Sequence, residues 1–327
     1  MPEKLFSQGI VEAQAHEMRT DPTIFVAGED IELGGVFATA KGLREEFGSR
    51  VFNTPIAEAA MTGLAIGAAA TGMRPIVEIM FMDFMTVAMD QVVNQMAKMR
   101  YMFGGETRLP LVLITHAGAG HQNAAQHSQS LEAWFCHVPG LKVVWPSDPY
   151  DGKGLMIAAI RDDNPVIYIT NKLALGTRAD VPDDAYTVPI GKAAVKREGE
   201  DVTVVAVGAM VPEAIKAADA VAERGLSVEV VDPRTLSPLD TDTIVRSVRK
   251  TGRAIVAHEA VQFCGYGAEV AAQIAQHAFD ALDAPVLRVG APFSPVPFNP
   301  NLEKAWLPGA EEIIASIEQL IPTGARA

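Results

Sequence analysis

Short apolar runs alternate along the chain with longer stretches of helical periodicity. Ile24–Asp30 (IFVAGED) has buried-strand character, and Val36–Phe47 follows with a helical pattern that Gly48 ends. A short strand over Val51–Pro55 leads into a small-residue helix over Glu58–Thr71, then into the strand Pro75–Phe81 (PIVEIMF). The clearest helix covers Thr86–Phe103. There Met89, Val92, Val93, Met96 and Met99 recur at helical spacing, Asp90, Asn94 and Lys98 fall elsewhere, and Gly104-Gly105 closes the segment. The strand Leu111–Thr115, a polar Gly/His-rich loop from His116 to Gln129 and a short helix over Leu131–His137 come next. The strand Leu141–Trp145, the helix Tyr150–Arg161 and the strand Val166–Thr170 complete the run. Units of this length predict a parallel sheet covered by helices on both faces.

The pattern loosens from about Leu175 to Lys196, where Gly176, Pro182, Pro189 and Gly191 accompany an acidic patch of Asp180, Asp183 and Asp184. A second α/β unit then begins. Its strands are Val202–Val207, Val228–Val231, Ala254–His258 and Val286–Val289, with helices over Pro212–Arg224, Thr241–Val248 and Ala268–Ala281 and a tail helix over Glu311–Leu320. The expected organisation is a first domain over 1–185, a linker over 186–200 and a second domain over 201–327, in keeping with about two domains for 327 residues.

Charge narrows the choice of partner. Lys and Arg number 27 against 40 Asp and Glu, a formal net charge of −13, which disfavours non-specific nucleic-acid binding and anionic membrane surfaces. The least polar stretch, Ala59–Met73, is rich in Gly and Ala and too short to span a bilayer, and the N-terminal segment has no apolar signal core. Two cysteines, Cys136 and Cys264, cannot build a disulfide framework and lack zinc-ligand spacing, so a reducing, cytoplasmic setting is expected.

Familiar catalytic signatures are absent from the sequence. No GxGxxG follows the first strand, and neither GxxxxGK[ST] nor GxSxG occurs. The HAGAGH run reads as a flexible turn. Cys136 sits beside Phe135 on a predicted helix and reads as a buried apolar thiol. His116, His121 and His127 match no helical ligand pair, so spacing alone favours structural or exposed roles. Glu58 is the better candidate: it opens an almost wholly apolar helix just after a strand. A carboxylate there either complements the helix N-terminus or faces a cleft at the carboxyl end of a parallel strand.

Several long blocks, in order, resemble the beta subunit of the decarboxylating component of thiamine-diphosphate-dependent 2-oxo acid dehydrogenases. They are TPIAEAAMTGLAIGAAATGMRPIVEIMFMDF, DQVVNQMAKMRYMFGG, AAQHSQS, HVPGLKVVWPSDPYDGKGLMIAAIRDDNPVIY, VVDPRTLSPLD, KTGRAIVAHEA and PVPF. The resemblance runs from about residue 4 to residue 322 and is greatest to acetoin- and pyruvate-type members. It implies two doubly wound parallel-sheet domains, a transketolase-like pyrimidine-binding domain and a transketolase C-terminal domain. It also implies a partner alpha subunit in an α2β2 heterotetramer, which binds the cofactor diphosphate and Mg2+ through a GDG…N motif that this chain lacks, and acyl transfer to a lipoyl acyltransferase.

Site residues follow from the same resemblance. Glu58 matches the glutamate that holds the aminopyrimidine ring nitrogen, and Phe84 matches the aromatic stacked on that ring. Ile56 and Met80 match neighbouring pocket contacts. His127 matches a histidine near the reacting carbonyl, where it would move protons at neutral pH. Glu29 matches an acid thought to link paired active sites. Leu111, Ala159, Ile160, Asp162 and Asn164 match a potassium site of carbonyl and side-chain oxygens. Thr115-His116 and His121 depart from the family pattern, in which an Arg is usual near this point, and Trp145 stands where smaller residues are usual. The alternative function is a split transketolase-like enzyme that moves a ketol unit without a lipoyl partner. A non-catalytic module is disfavoured by Glu58, Phe84 and His127 occurring together.

Overall fold

The structure, a computed structural model, describes residues 1–321, so the last residues of the expected second domain, 322–327, lie outside the described residues. Its strands are β1 (Glu3–Leu5), β2 (Ile24–Gly28), β3 (Val51–Asn53), β4 (Arg74–Ile79), β5 (Val112–Ala117), β6 (Lys142–Val144), β7 (Val166–Asn171), β8 (Arg178–Asp180), β9 (Ala194–Arg197), β10 (Val202–Ala206), β11 (Val228–Asp232), β12 (Thr235–Ser237), β13 (Ala254–Val261) and β14 (Leu287–Ala291). The helices are α1 (Phe6–Thr20), α2 (Leu43–Phe47), α3 (Glu58–Ala70), α4 (Met99–Met102), α5 (Glu132–Cys136), α6 (Pro149–Arg161), α7 (Met210–Ala222), α8 (Thr241–Thr251), α9 (Tyr266–Ala278), α10 (Pro300–Trp306) and α11 (Ala310–Leu320). The chain divides into two compact units. One holds Met1–His121, Gln126–Ile190 and Leu236–Pro238; the other holds Gln122–Ala125, Gly191–Thr235 and the chain from Leu239 onward.

The first unit is built on a seven-stranded sheet of order β12-β6-β7-β5-β4-β2-β3, in which β6, β7, β5, β4, β2 and β3 run parallel. Every residue of β2, β5 and β7 is buried, as a sheet covered on both faces requires. Val26, Ile76, Ile114 and Tyr168 pack on one side against Phe6, Ile10 and Met18 of α1 and Leu155 and Ile160 of α6. Burying each such aliphatic side chain contributes roughly 1.5–3 kcal/mol. Helix α1 crosses α6 closely: a Cβ at Gly152 would overlap the Phe6 ring. Beyond the crossing, Arg161 donates two hydrogen bonds to Glu17, at 2.9 and 2.8 Å.

The second unit has a five-stranded sheet of order β14-β13-β10-β11-β9. Val204, Val230, Ile255 and Val289 pack against Val211, Ala214 and Ala218 of α7 and Ile313 and Ile317 of α11.

Several sequence expectations need correction. Val36–Phe47 is not one helix: Gly34, Gly35, Ala38 and Gly42 adopt positive φ, so the chain turns repeatedly and only Leu43–Phe47 is helical. Thr86–Phe103 is helical but broken, into a 3-10 segment over Met82–Ala88, a π segment over Gln91–Met96 and the short α4. Within it Val92 and Met96 are fully buried, whereas Met89, Val93 and Met99 are half-buried. The second sheet is not wholly parallel, because its edge strand β9 pairs antiparallel with β11, an arrangement common at the edge of doubly wound sheets. Helix α1 and helix α10, which Asn299 caps with Pro300 at its first position, add to the predicted elements. No helix among the described residues is long and apolar enough to cross a membrane.

Candidate active site

Parallel strands end together at one edge of the first sheet, and their carboxyl ends carry its polar residues. Register fixes the alignment: Gly28 lies opposite both Asn53 and Glu78, Ile79 opposite Thr115, and His116 opposite Thr170. Glu29 therefore follows β2, Glu58 opens α3 after β3, Met80 and Phe84 follow β4, and Lys172 follows β7. In open α/β sheets this edge is where ligands bind.

Glu58 is the first residue of α3 and only 7% exposed, behind Ala57, whose side chain supplies no cap. It lies in the first turn of a helix, where the dipole favours a negative charge, and shortly after the carboxyl end of β3. Its carboxyl makes no hydrogen bond or ion pair among the described residues. Thr62, one helical turn on, is also buried, with its hydroxyl unpaired. Glu29 is half-buried, and burial raises its carboxyl above the usual range, with Glu58, Asp30 and Glu78 adding repulsion. Glu29 thus feels the negative charge of its acidic neighbours on the same sheet edge.

Rings line the approach. His127 lies edge-on to Phe84 and to Phe81, with centroids 5.1 and 4.9 Å apart, and Phe81 is edge-on to Phe84 at 6.1 Å. Phe84, Met80 and His127 are half-buried, and Ile56 is 80% exposed. The loop carrying His127 is pinned from three sides. Lys172 donates to the His127 carbonyl, Gln129 donates from its backbone N and Nε2 to Asp83 Oδ1 at 3.2 and 2.8 Å, and the Leu131 N–H reaches Met82 Sδ at 3.0 Å. The Lys172 ammonium also stands 5.2 Å from the centre of the Phe81 ring.

Sequence reasoning gave no role to Glu78, Phe37, Phe81, Asp83, Thr170 or Lys172. Glu78 carried a signal, a lone acid in the otherwise apolar run PIVEIMF. His121 is exposed, whereas His116 is fully buried, with Nδ1 2.6 Å from Thr170 Oγ1 and its ring 4.4 Å from Phe37. Cys136 suits the apolar reading: burial chiefly, with the Glu132 carboxylate, pushes its thiol well up, the reverse of an activated nucleophile.

The expected potassium ligands gather at the end of α6, but each already accepts a hydrogen bond. Arg74 Nη1 donates to the carbonyls of Ile160 and Asp162 at 3.0 and 3.2 Å, while its Nη2 reaches Asp163 Oδ1 at 2.7 Å. The Ala159 carbonyl accepts from Asp162 N, the Leu111 carbonyl from Val166 N and Asn164 Oδ1 from Arg100. Among the described residues no group of three or more His, Cys, Asp or Glu is arranged to hold a metal ion.

Comparison with known proteins fits this geometry. Residues 4–177 match the transketolase pyrimidine binding domain and residues 191–313 the transketolase C-terminal domain. The acetoin:2,6-dichlorophenolindophenol oxidoreductase subunit beta of Cupriavidus necator is 48% identical over 326 residues, 96% of each chain, and that of Bacillus subtilis is 47% identical, also over 96% of each. The pyruvate dehydrogenase E1 component subunit beta of Bacillus subtilis is 45% identical over 98% of this chain and 99% of its own. A solved structure of a split-gene transketolase, an inactive beta4 tetramer, superposes with a TM-score of 0.77 over 97% of this chain and 98% of its own, at 24% identity. The chain belongs to the family of the acetoin oxidoreductase and pyruvate dehydrogenase E1 beta subunits, built from a transketolase pyrimidine-binding domain and a transketolase C-terminal domain.

Proposed function

We propose that the chain is the beta subunit of a thiamine-diphosphate-dependent acetoin or pyruvate-type 2-oxo acid dehydrogenase, cleaving a carbon–carbon bond next to a carbonyl and passing the acyl group to a lipoyl acyltransferase. The observation that carries this reading is the buried Glu58 carboxyl, left without a protein partner at the carboxyl edge of the first sheet. The side chain is largely enclosed, yet its carboxyl oxygens have no protein partner and still reach solvent, which suits a ligand that brings its own hydrogen-bonding nitrogen, as an aminopyrimidine ring does. When bound, the cofactor supplies an electron sink for the carbanion that bond cleavage generates.

The chain's own residues supply the rest. Glu58 holds a proton at the pyrimidine ring nitrogen, and Phe84 packs on the ring with Ile56 and Met80 as apolar neighbours. His127, in a loop held by Lys172 and Gln129, donates or accepts a proton beside the substrate carbonyl. Glu29 communicates with Glu58 through their shared field. An alpha subunit with its own diphosphate and Mg2+ site completes the centre in an α2β2 heterotetramer, since this sequence has no GDG…N motif. The cytoplasm suits its two free cysteines. Potassium, if bound, would use the second lone pairs of the Leu111, Ala159, Ile160 and Asp162 carbonyls with Asn164, in competition with Arg74. The net charge of −13 suits a basic docking segment on the acyltransferase. The split-transketolase alternative has only fold-level likeness in its favour.

The test is co-expression with the cognate alpha subunit, followed by 2,6-dichlorophenolindophenol reduction with acetoin, pyruvate and branched-chain 2-oxo acids in parallel. Turnover of acetoin or pyruvate that depends on added thiamine diphosphate is expected. Full-rate turnover by the single chain, or ketol transfer between sugars without an acceptor, would overturn the reading.

A further inference from the structure

The loop that carries His127 has a further anchor that none of the steps above uses. It runs irregularly from the end of β5 at Ala117 to the start of α5 at Glu132. Four of its residues take positive φ: Gly118 at +100°, Gly120 at +98°, Gln122 at +57° and Ala124 at +59°. Glycine enters that region freely, whereas Gln122 and Ala124 bear a steric cost there. Backbone strained in this way persists only where the surrounding structure over-determines it.

Glu303 holds the tip in that conformation. It is 3% exposed on α10, and its Oε2 and Oε1 accept from the Gln122 backbone N at 3.0 and 3.3 Å. A carboxylate acceptor makes the stronger, charge-assisted kind of hydrogen bond. Helix α10 is itself fixed. Asn299 Oδ1 accepts from Asn301 N at 3.0 Å, and Trp306 Nε1 donates to the Ser294 carbonyl and Oγ, both at 3.1 Å. Gln122–Ala125 group with the second unit, as α10 does, while His121 and the chain from Gln126 group with the first.

His127 depends on this backbone. Its imidazole makes no hydrogen bond among the described residues, only edge-on contacts with Phe81 and Phe84, so the course of the chain sets where its nitrogens stand. On the C-terminal side Lys172, Gln129 and Leu131 secure the loop. On the N-terminal side Glu303 holds Gln122, five residues before His127.

We propose that Glu303 is a positioning residue for His127: by holding the Gln122 N–H it fixes the strained tip of the loop and, through it, the place of the imidazole beside the substrate carbonyl. The inference rests on the thiamine diphosphate reading for what His127 does, but not for the anchoring of the loop. Because Glu303 acts through the backbone, its loss displaces the imidazole without removing it. Such a displacement lowers the rate of proton transfer and leaves cofactor affinity alone.

The experiment compares Glu303→Asp with Glu303→Gln in the alpha–beta complex. Aspartate keeps the charge but draws the carboxyl back by one methylene; glutamine keeps the reach and one acceptor oxygen. Glu303→Asp is expected to lower kcat for acceptor reduction by about tenfold or more, with thiamine diphosphate affinity within about twofold of wild type, and Glu303→Gln by only about two- to threefold. In a His127→Ala background Glu303→Asp should cost nothing further, since both changes act on one proton transfer. In the cofactor-free complex, amide exchange of a peptide spanning 118–131 should quicken in both variants, more in Glu303→Asp. An equal kcat loss with and without His127, a larger loss in Glu303→Gln than in Glu303→Asp, or parallel losses of kcat and cofactor affinity would each overturn the proposal. Should Glu303→Asp fail to assemble, Glu303→Gln decides, because unchanged exchange with this weaker, neutral acceptor would show that Glu303 does not anchor the loop. If the wild-type complex neither binds thiamine diphosphate nor turns over substrate, the functional reading fails, and the exchange rates still judge the anchor.

Discussion

His127 stands perpendicular to Phe84, the two rings 5.1 Å apart and at 90° to one another. That geometry ties a proton-carrying ring to an aromatic expected to stack on a cofactor, so the two side chains should be separable by what each variant loses. Phe84→Ala should weaken thiamine diphosphate binding to the alpha–beta complex by roughly tenfold, from the loss of about 1–2 kcal/mol of ring contact. His127→Ala should leave that affinity near wild type and lower kcat by about 100-fold or more. Calorimetry beside steady-state acceptor reduction distinguishes them, and equal losses of both quantities in both variants would refute the division.

Glu58 opens α3 with a carboxyl that no protein group satisfies. Glu58→Gln keeps size and burial but not the acid, so the thermal midpoint should shift little. Cofactor-dependent turnover should fall by at least about 100-fold while the complex still assembles. Size-exclusion chromatography and the acceptor assay check this, and near wild-type activity removes Glu58 from the centre.

Where α1 crosses α6, Gly152 faces the Phe6 ring with no room for a methyl group. Gly152→Ala should destabilise the first unit by about 1–3 kcal/mol through overpacking. A second change, Phe6→Leu, should recover part of the loss. Thermal unfolding of the three proteins reads this, and an unchanged midpoint in Gly152→Ala would show that the crossing is looser than its geometry.

In the second unit, His258 is 1% exposed and pressed against Gly265, Gly267 and Gly290, where Cβ atoms would approach its ring to 2.6, 2.6 and 3.2 Å. Burial chiefly, with the Arg288 guanidinium, lowers its pKa to about 4. The unfolded chain takes up a proton near pH 6.5 that the folded chain refuses until about pH 4. Stability therefore falls as pH drops through this window and is regained as pH rises, by up to roughly 3 kcal/mol. Thermal midpoints at pH 7.5, 6 and 5 should fall along that series, with a shallower slope in His258→Gln; parallel slopes would exonerate the histidine.

Arg74 is the group with which a potassium ion would compete. Arg74→Ala should cost about 1.5–3 kcal/mol through hydrogen bonds lost from a charged donor. If the carbonyls can hold potassium, the variant's thermal midpoint should rise more in potassium than in sodium chloride at equal ionic strength. Identical curves in the two salts would remove these residues as a cation site.

Much of the fold was legible in the sequence because it rests on one repeated signal, an apolar run followed by a periodic helix. The reading went wrong where backbone conformation outweighs periodicity. Gly34 and Gly35 turn the chain just before Val36–Phe47, Ala38 and Gly42 bend it inside, and the π turn over Gln91–Met96 rotates the methionine stripe away from a single face. The partner of β9 is a tertiary contact that no local pattern encodes. At the site, Glu29, Met80 and Phe84 follow parallel strands and Glu58 opens α3 after β3, whereas the residues of the expected potassium site lie at the end of α6. The approach of His116 to Glu78 was opaque, because it is a cross-strand contact between residues 38 positions apart in the chain. Lys172 was hidden for the same reason, since its partner is a carbonyl 45 residues away.

Strand β12 completes the edge of the first sheet beside β6, although it comes from far along the chain. During synthesis, β6 must wait for roughly ninety further residues to leave the ribosome before this neighbour exists, several seconds at ordinary elongation rates. A fragment stopped at Ile190 would keep that flank open, a row of unpaired amides and carbonyls ready to recruit a strand from another molecule. The nascent first unit is therefore the form of this protein most in need of a chaperone, and the truncated one the most prone to aggregate.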